Sequence, residues 1–163
     1  MGSLVRRGFL AALALTLVGT AVAEASGSKR PPRKPPTRMK TEVETKARLV
    51  GVGTQLAARG EAEHEVETVT VIATGVSTTQ SEFEVSVKYL TLAAGSVVSF
   101  QLNGTEVGTG TVNYGRASLK LKTELGGTVP AVVQGDTLTV LGDDGSTILT
   151  GTFGAPKTEV EYK

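Results

Sequence analysis

The sequence predicts an all-β protein, an antiparallel β-sandwich or a flattened closed β-barrel of about eight strands. Three observations carry this prediction. The chain of 163 residues contains 20 glycines and no cysteine, and its valine- and threonine-rich segments favour short strands and tight turns over helices. Several segments alternate apolar and polar residues with the period of a half-buried strand. Finally, Asn103-Gly104 and residues 142–145 have the composition of tight β-hairpin turns.

The N-terminus has the features of a secretory signal peptide at residues 1–23. Arg6 and Arg7 form its basic region, residues 9–22 are mostly apolar, and residues 21–23 are a small-x-small cleavage site. An uncleaved membrane anchor is the alternative, although the apolar run is shorter than the ~20 residues that span a bilayer. We therefore expect an exported protein, periplasmic or secreted. The absence of cysteine from an exported chain favours a bacterial one.

A basic, proline-rich arm is predicted at residues 24–40. Its four prolines and the repulsion among its charges predict an extended, disordered linker. Residues 41–163 hold nine Lys and Arg against fifteen Asp and Glu, so an acidic body of net charge −6 follows the basic arm. The arm carries six cations, which are the candidate contact with an anionic envelope polymer or protein: Lys29, Arg30, Arg33, Lys34, Arg38 and Lys40.

Two other interpretations of the arm stay open, a plain solvated linker and an arm folded back onto the acidic body. Nucleic acid is not an expected partner, because no aromatic residues are interleaved with the cations to stack on bases. Membrane contact is expected only through an uncleaved leader or through the charge of the arm.

A single β-domain is predicted at residues 41–153. Residues 41–50 alternate as a first strand, and residues 60–74 form a second whose apolar phase changes after Val66, which predicts a β-bulge or bend. In the third strand, Phe83 and Tyr89 begin and end a run of inward-facing apolar residues. Later strands are predicted at residues 96–102, in the return strand of the Asn103-Gly104 hairpin past Gly110, around residues 118–122, and at residues 137–141 and 146–153, with a turn at 113–116 and a crossing loop at 125–134.

The hairpin at residues 96–108 anchors this prediction. A two-residue type I′ turn at Asn103-Gly104 places Leu102 opposite Thr105 and Phe100 opposite Val107. Its inward face includes Phe100, which is expected to form the core with Phe83 and Phe153. The glycines of the return strand, 108 and 110, are expected at a bulge or a close backbone approach.

The tail, residues 154–163, is predicted to be a C-terminal tail or an edge strand. Residues 40–46 read KTEVETK and residues 157–163 read KTEVEYK. Two charged edge strands that resist aggregation account for this match. Self-assembly through these TEVE segments is the alternative.

No catalytic residue, cofactor site or metal site is predicted. His64 is the only histidine, and strand geometry points Glu63 and Glu65 to the opposite face. Four glutamates at alternate positions from residue 61 to residue 67 are interpreted as a solvated face, paired across a strand with Lys120 and Lys122. Asp143 and Asp144 are interpreted as a hairpin turn, and calcium binding there stays an open question.

With these strands in place, residues 49–153 resemble exported bacterial all-β domains of uncharacterised function. The similar features are the strand order around Leu102–Gly108, the run TVPAVVQGDTLTVL at residues 128–141, and the closing ILTGTF at residues 148–153. The resemblance implies a β architecture and carries over no catalytic residues.

The sequence thus predicts a non-enzymatic exported module of the bacterial cell envelope, structural or interacting, whose basic arm tethers it or contacts anionic partners. Two alternatives come from other classes of function. One is a small-ligand-binding or hydrolytic β-barrel that uses carboxylates at the barrel mouth. The other is a protein that assembles through its TEVE edge strands.

Overall fold

A computed structural model describes residues 35–163; the predicted signal peptide and most of the arm lie outside these residues. Nine strands and two single-turn 3₁₀ helices, Gly53–Gln55 and Thr123–Leu125, make up the described fold. The strands are β1 (Arg38–Gly51), β2 (Arg59–Val71), β3 (Ser77–Lys88), β4 (Val97–Leu102), β5 (Thr105–Thr111), β6 (Arg116–Lys122), β7 (Thr137–Leu141), β8 (Thr147–Thr152) and β9 (Lys157–Tyr162). Within residues 35–163, no helix is long and apolar enough to cross a bilayer.

Eight of the strands form one antiparallel sheet in the order β5-β4-β7-β8-β1-β2-β3-β6. The sheet curls until its two edge strands meet, which gives a nearly closed barrel. At this seam β5 has glycines, and a Cβ added at Gly110 would lie only 2.9 Å from the backbone oxygen of Ser118 in β6. The all-β prediction is confirmed, and of the two architectures left open the barrel is the one observed. The predicted close approach at Gly108 and Gly110 is confirmed as well.

The hairpin between β4 and β5 has the predicted turn but not the whole predicted register. Asn103 and Gly104 have φ values of 51° and 81°, the left-handed conformation that a type I′ turn requires. Leu102 lies opposite Thr105 as predicted, but the register then shifts, and Phe100 lies opposite Gly108 rather than Val107. Val107 is thus the extra residue of a β-bulge, which the turn alone does not reveal.

Asn103 also connects the hairpin to β7. Its side-chain Nδ2 donates to Asp136 Oδ1 at 2.8 Å, and its Oδ1 accepts from the backbone N–H of Thr137 at 2.9 Å. Asp136 Oδ2 accepts from the backbone N–H of Val133 at 2.8 Å. These hydrogen bonds hold the pKa of Asp136 below its usual value, the Val133 bond having the largest effect. Asn103 therefore also connects the hairpin turn to the residues between the crossing loop and β7.

The interior of the barrel is filled by apolar side chains. Phe83, Phe100 and Phe153 are fully buried, as predicted, and the rings of Phe83 and Phe153 pack with centroids 6.3 Å apart. Leucine and valine side chains from β1, β3, β4, β7 and β8 surround them. Tyr89 was expected to continue the inward face of β3, and this prediction is wrong. The strand ends at Lys88, and Tyr89 adopts φ 62° with its side chain 62% exposed.

β1, β2 and β3 extend beyond the barrel as a ribbon. The ribbon comprises residues 38–44, 65–71 and 77–82, and it contains no fully buried side chain. Both registers through β2 are continuous, so the predicted bulge after Val66 is absent. The change of apolar phase has another cause: β2 leaves the core here, and both of its faces become half-buried.

The two KTEVE segments pair with each other. β9 runs antiparallel to the first half of β1, with Glu42 opposite Glu159 and Lys40 opposite Glu161. β1 therefore has a partner on each side and is not an edge strand, whereas β9 lies at an edge of the described sheet. β1 begins at Arg38, so the last three residues assigned to the linker lie in a strand.

Candidate binding face on the outside of the barrel

Most charged side chains of the barrel strands lie on the outward side of β1, β2, β3 and β6, which we call the outer face. Residues directly opposite each other on these strands form rows across the sheet. Two rows toward the ribbon are rich in carboxylates: Lys46–Glu63–Glu84–Lys120 and Glu44–Glu65–Glu82–Lys122. The row at the other end consists of Val50, Arg59, Lys88 and Arg116. The outer face is thus acidic toward the ribbon and basic toward the loops that follow β1 and β3.

The lysines at the acidic end are paired with glutamates. Lys46 Nζ lies 2.7 Å from Glu44 and 3.2 Å from Glu63. Lys120 pairs with both Glu82 and Glu84, the latter at 2.5 Å. The expected pairing of Lys120 and Lys122 with the glutamates of β2 is wrong, because β3 lies between β2 and β6 and supplies the glutamates instead.

Glu42, Glu65 and Glu67 form the carboxylate cluster that sequence reasoning missed. One oxygen from each lies within 4.8 Å of the others, because the register brings β1 and β2 side by side. Lys40 Nζ lies 2.8 Å from Glu42 and 2.7 Å from Glu67 and already offsets two of these charges. Burial raises the pKa of Glu65, and the nearby Glu42 carboxylate adds to this rise. All three glutamates belong to the ribbon, where they lie on the same side of the sheet as the outer face.

Of the six predicted contact residues, two lie in the described part of the chain. Lys40 points to the acidic end of the outer face, where its bonds to Glu42 and Glu67 raise its pKa. Arg38 is exposed at the start of β1. The other four, Lys29, Arg30, Arg33 and Lys34, lie outside the described residues.

The β7–β8 hairpin uses Asp144 to close its turn. Asp144 Oδ1 accepts from the backbone N–H of Ser146 at 2.9 Å and from its hydroxyl at 2.6 Å. These bonds lower the pKa of Asp144. The predicted hairpin at residues 142–145 is therefore present, with a local role for this carboxylate.

His64 lies on the core side of β2, between Thr45 of β1 and Phe83 of β3. Its side chain is buried, and burial lowers its pKa. The pKa of His64 is about 6.5 in the unfolded chain and lower in the folded protein. Below pH 6.5 the unfolded chain therefore binds a proton at His64 more readily than the folded protein does. Stability from this residue is present above that pH and is lost as the pH falls toward the lower pKa of the folded state.

We therefore expect the free energy of unfolding to fall more steeply between pH 7.5 and 5.5 in the wild type than in His64→Gln, by up to about 1 kcal/mol. The carboxylates are common to both proteins, so their contribution cancels in the comparison. Urea denaturation at several pH values within this range measures the difference. Parallel curves for the two proteins would contradict this assignment.

No protein-family model matches the chain, and no curated protein matches it. The resemblance to exported bacterial all-β domains stays a prediction.

Proposed function

We propose that this protein is a non-enzymatic, exported interaction module of the bacterial cell envelope whose basic arm contacts anionic partners. One observation carries the proposal. Apolar side chains fill the inside of the barrel, whereas every Lys, Arg, Asp and Glu of residues 35–163 is at least partly exposed. A body of this kind offers a partner its charged surface rather than an internal cavity.

The arm is the part of the chain best suited to an anionic partner at long range. The acidic end of the outer face repels anions, and Lys40 is held by two glutamates. Arg38 has no ion pair within the described residues, and four further cations precede it in the sequence. Export, cleavage after Ala23 and the envelope location belong to the same proposal and are supported by the leader sequence.

Neutralising the arm should weaken binding to a flexible polyanion. The protein is collected from the exported fraction, where mass spectrometry should find Glu24 as its first residue. We expect the quadruple Gln variant at Lys29, Arg30, Arg33 and Lys34 to bind dextran sulfate about tenfold more weakly than the wild type in about 50 mM salt. Titration calorimetry measures the change.

A matched variant distinguishes the effect of the arm on binding from the effect of net charge. Changing Lys46, Lys120, Lys122 and Lys163 to Gln removes the same charge from lysines that are paired with glutamates in the barrel and β9. This variant should keep most of the affinity. Equal losses in the two variants would show that only total charge matters and would remove the arm from the proposal.

A further inference from the structure

The outer face carries a row of like charges that the fold does not neutralise. Arg59, Lys88 and Arg116 lie directly opposite one another on β2, β3 and β6, and all three side chains are exposed. Among residues 35–163, none of them has a carboxylate within 4.0 Å, in contrast to the paired lysines at the acidic end of the outer face. Like charges directly opposite each other destabilise a sheet. Their presence in register therefore points to an anion outside the fold.

These three cations, which we call the basic row, lie in a shallow groove across the strands. Two concavities of about 510 Å³ and 440 Å³ meet at Ser86 and Lys88 and together reach from β1 to the end of β5. Neighbouring strands are about 4.8 Å apart, so the row spans about 10 Å. That length suits two or three successive anionic groups of a linear chain better than one small anion. Glu61, the carboxylate in the lining, lies opposite Arg48 in the register.

The groups along the groove suit a sugar that carries carboxylates. The Arg59 guanidinium is held by its bonds to the backbone oxygens of Leu56 at 2.6 Å and Ala58 at 2.7 Å. A planar guanidinium held in this way can present its remaining N–H groups to a carboxylate. Ser86 and Ser118 line the groove with hydroxyl groups that can bind those of a sugar.

Tyr89, which directly follows Lys88, is an exposed residue that lines the groove. Its φ of 62° is a left-handed conformation that residues other than glycine seldom adopt. The residue is 62% exposed, and Lys88 Nζ lies 5.6 Å from the centroid of its ring. An aromatic face beside a cation can stack on a sugar ring while the cation binds its carboxylate.

We infer that the groove formed by Arg59, Lys88, Arg116 and Tyr89 binds a linear acidic polysaccharide that has a carboxylate on its sugar units. The residues of this site are not those of the basic arm, and the inference goes beyond the proposed function. Single-stranded nucleic acid would need several aromatic rings along the row to stack its bases, and among the residues that line the groove in the described part of the chain Tyr89 is the one aromatic residue.

The inference is tested with sodium polygalacturonate in the full chain in which four of the six arm cations, residues 29, 30, 33 and 34, are changed to Gln. Any contribution of these four cations is then removed from every variant compared. We expect the further triple variant Arg59→Gln, Lys88→Gln, Arg116→Gln to bind about tenfold more weakly in about 50 mM salt. The three cations of the row repel one another, so the melting temperature of this triple variant should not fall below that of its parent.

The matched control, Lys46→Gln, Lys120→Gln, Lys122→Gln, removes three charges from paired lysines on the same face and should lose less than about threefold. Tyr89→Ala in the arm-neutral chain should also weaken binding, whereas neutral dextran should not bind. Three results would overturn the inference: no binding of polygalacturonate, equal losses in the row and control variants, or tighter row-dependent binding of oligothymidylate or anionic phospholipid vesicles.

Discussion

Replacing Phe100 with alanine should lower the free energy of unfolding by about 3 to 5 kcal/mol. Phe100 is fully buried in β4, between β5 and β7, and lies opposite Gly108 and Val140. A Cβ added at Gly110 would lie 3.0 Å from its ring, so the ring packs directly against the backbone near the seam of the barrel. The backbone at Gly110 limits how far the surrounding structure can collapse into the cavity, which places the cost in this range.

Urea denaturation measures this effect, and Val97→Ala is the matched control. Val97 belongs to the same strand, but its side chain is 46% exposed. The control should cost less than about 1 kcal/mol, because little packing is lost at a partly solvated position. Similar losses in both variants would mean that β4 does not pack into the core as described.

Gly151→Ala should also be strongly destabilising, by about 1 to 3 kcal/mol or more. Gly151 lies in β8, where that strand crosses close to β1. An added Cβ would lie 2.2 Å from the backbone oxygen of Arg48 and 2.8 Å from a methyl carbon of Leu49. The backbone oxygen cannot move alone, so the two strands must separate locally and weaken the pairing of β1 with β8.

Gly154→Ala is the matched control, because there is space for a methyl group at this position. At Gly154 the nearest atom to an added Cβ is the backbone oxygen of Lys46 at 3.7 Å, an ordinary contact. This control should change stability by no more than about 0.5 kcal/mol. The comparison is made by thermal and urea unfolding. Equal tolerance of alanine at both positions would contradict the close approach of β8 to β1.

The local features of the fold could be predicted because they depend on short stretches of sequence. The left-handed preference of Asn103-Gly104 specifies the hairpin turn, and the alternation in residues 45–49 specifies which side chains of β1 are buried. Features that depend on neighbouring strands were harder to predict from the sequence. The bulge at Val107 arises where β4 and β5 pair, and the apolar phase change after Val66 marks the point where β2 leaves the core.

The basic row illustrates the same limit for the candidate site. Arg59, Lys88 and Arg116 are far apart in the sequence, and each lies at the end of a different strand. A sequence signal existed, since each cation stands beside a predicted strand end, but only the register of β2, β3 and β6 places them opposite one another. The carboxylate cluster of Glu42, Glu65 and Glu67 depends on register in the same way.

The all-β class, the hairpin turns, the phenylalanine core and the difference in charge between residues 24–40 and 41–163 could be derived from the sequence. These follow from backbone preferences, side-chain period and composition, which act over a few residues. The tertiary structure was needed to show that the sheet closes as a barrel, that β9 pairs with β1, and that three cations lie in register at one end of the outer face while glutamates outnumber lysines at the other. The reason is physical: strand order and register are set by which strands meet when the core is buried, and that choice involves the whole chain.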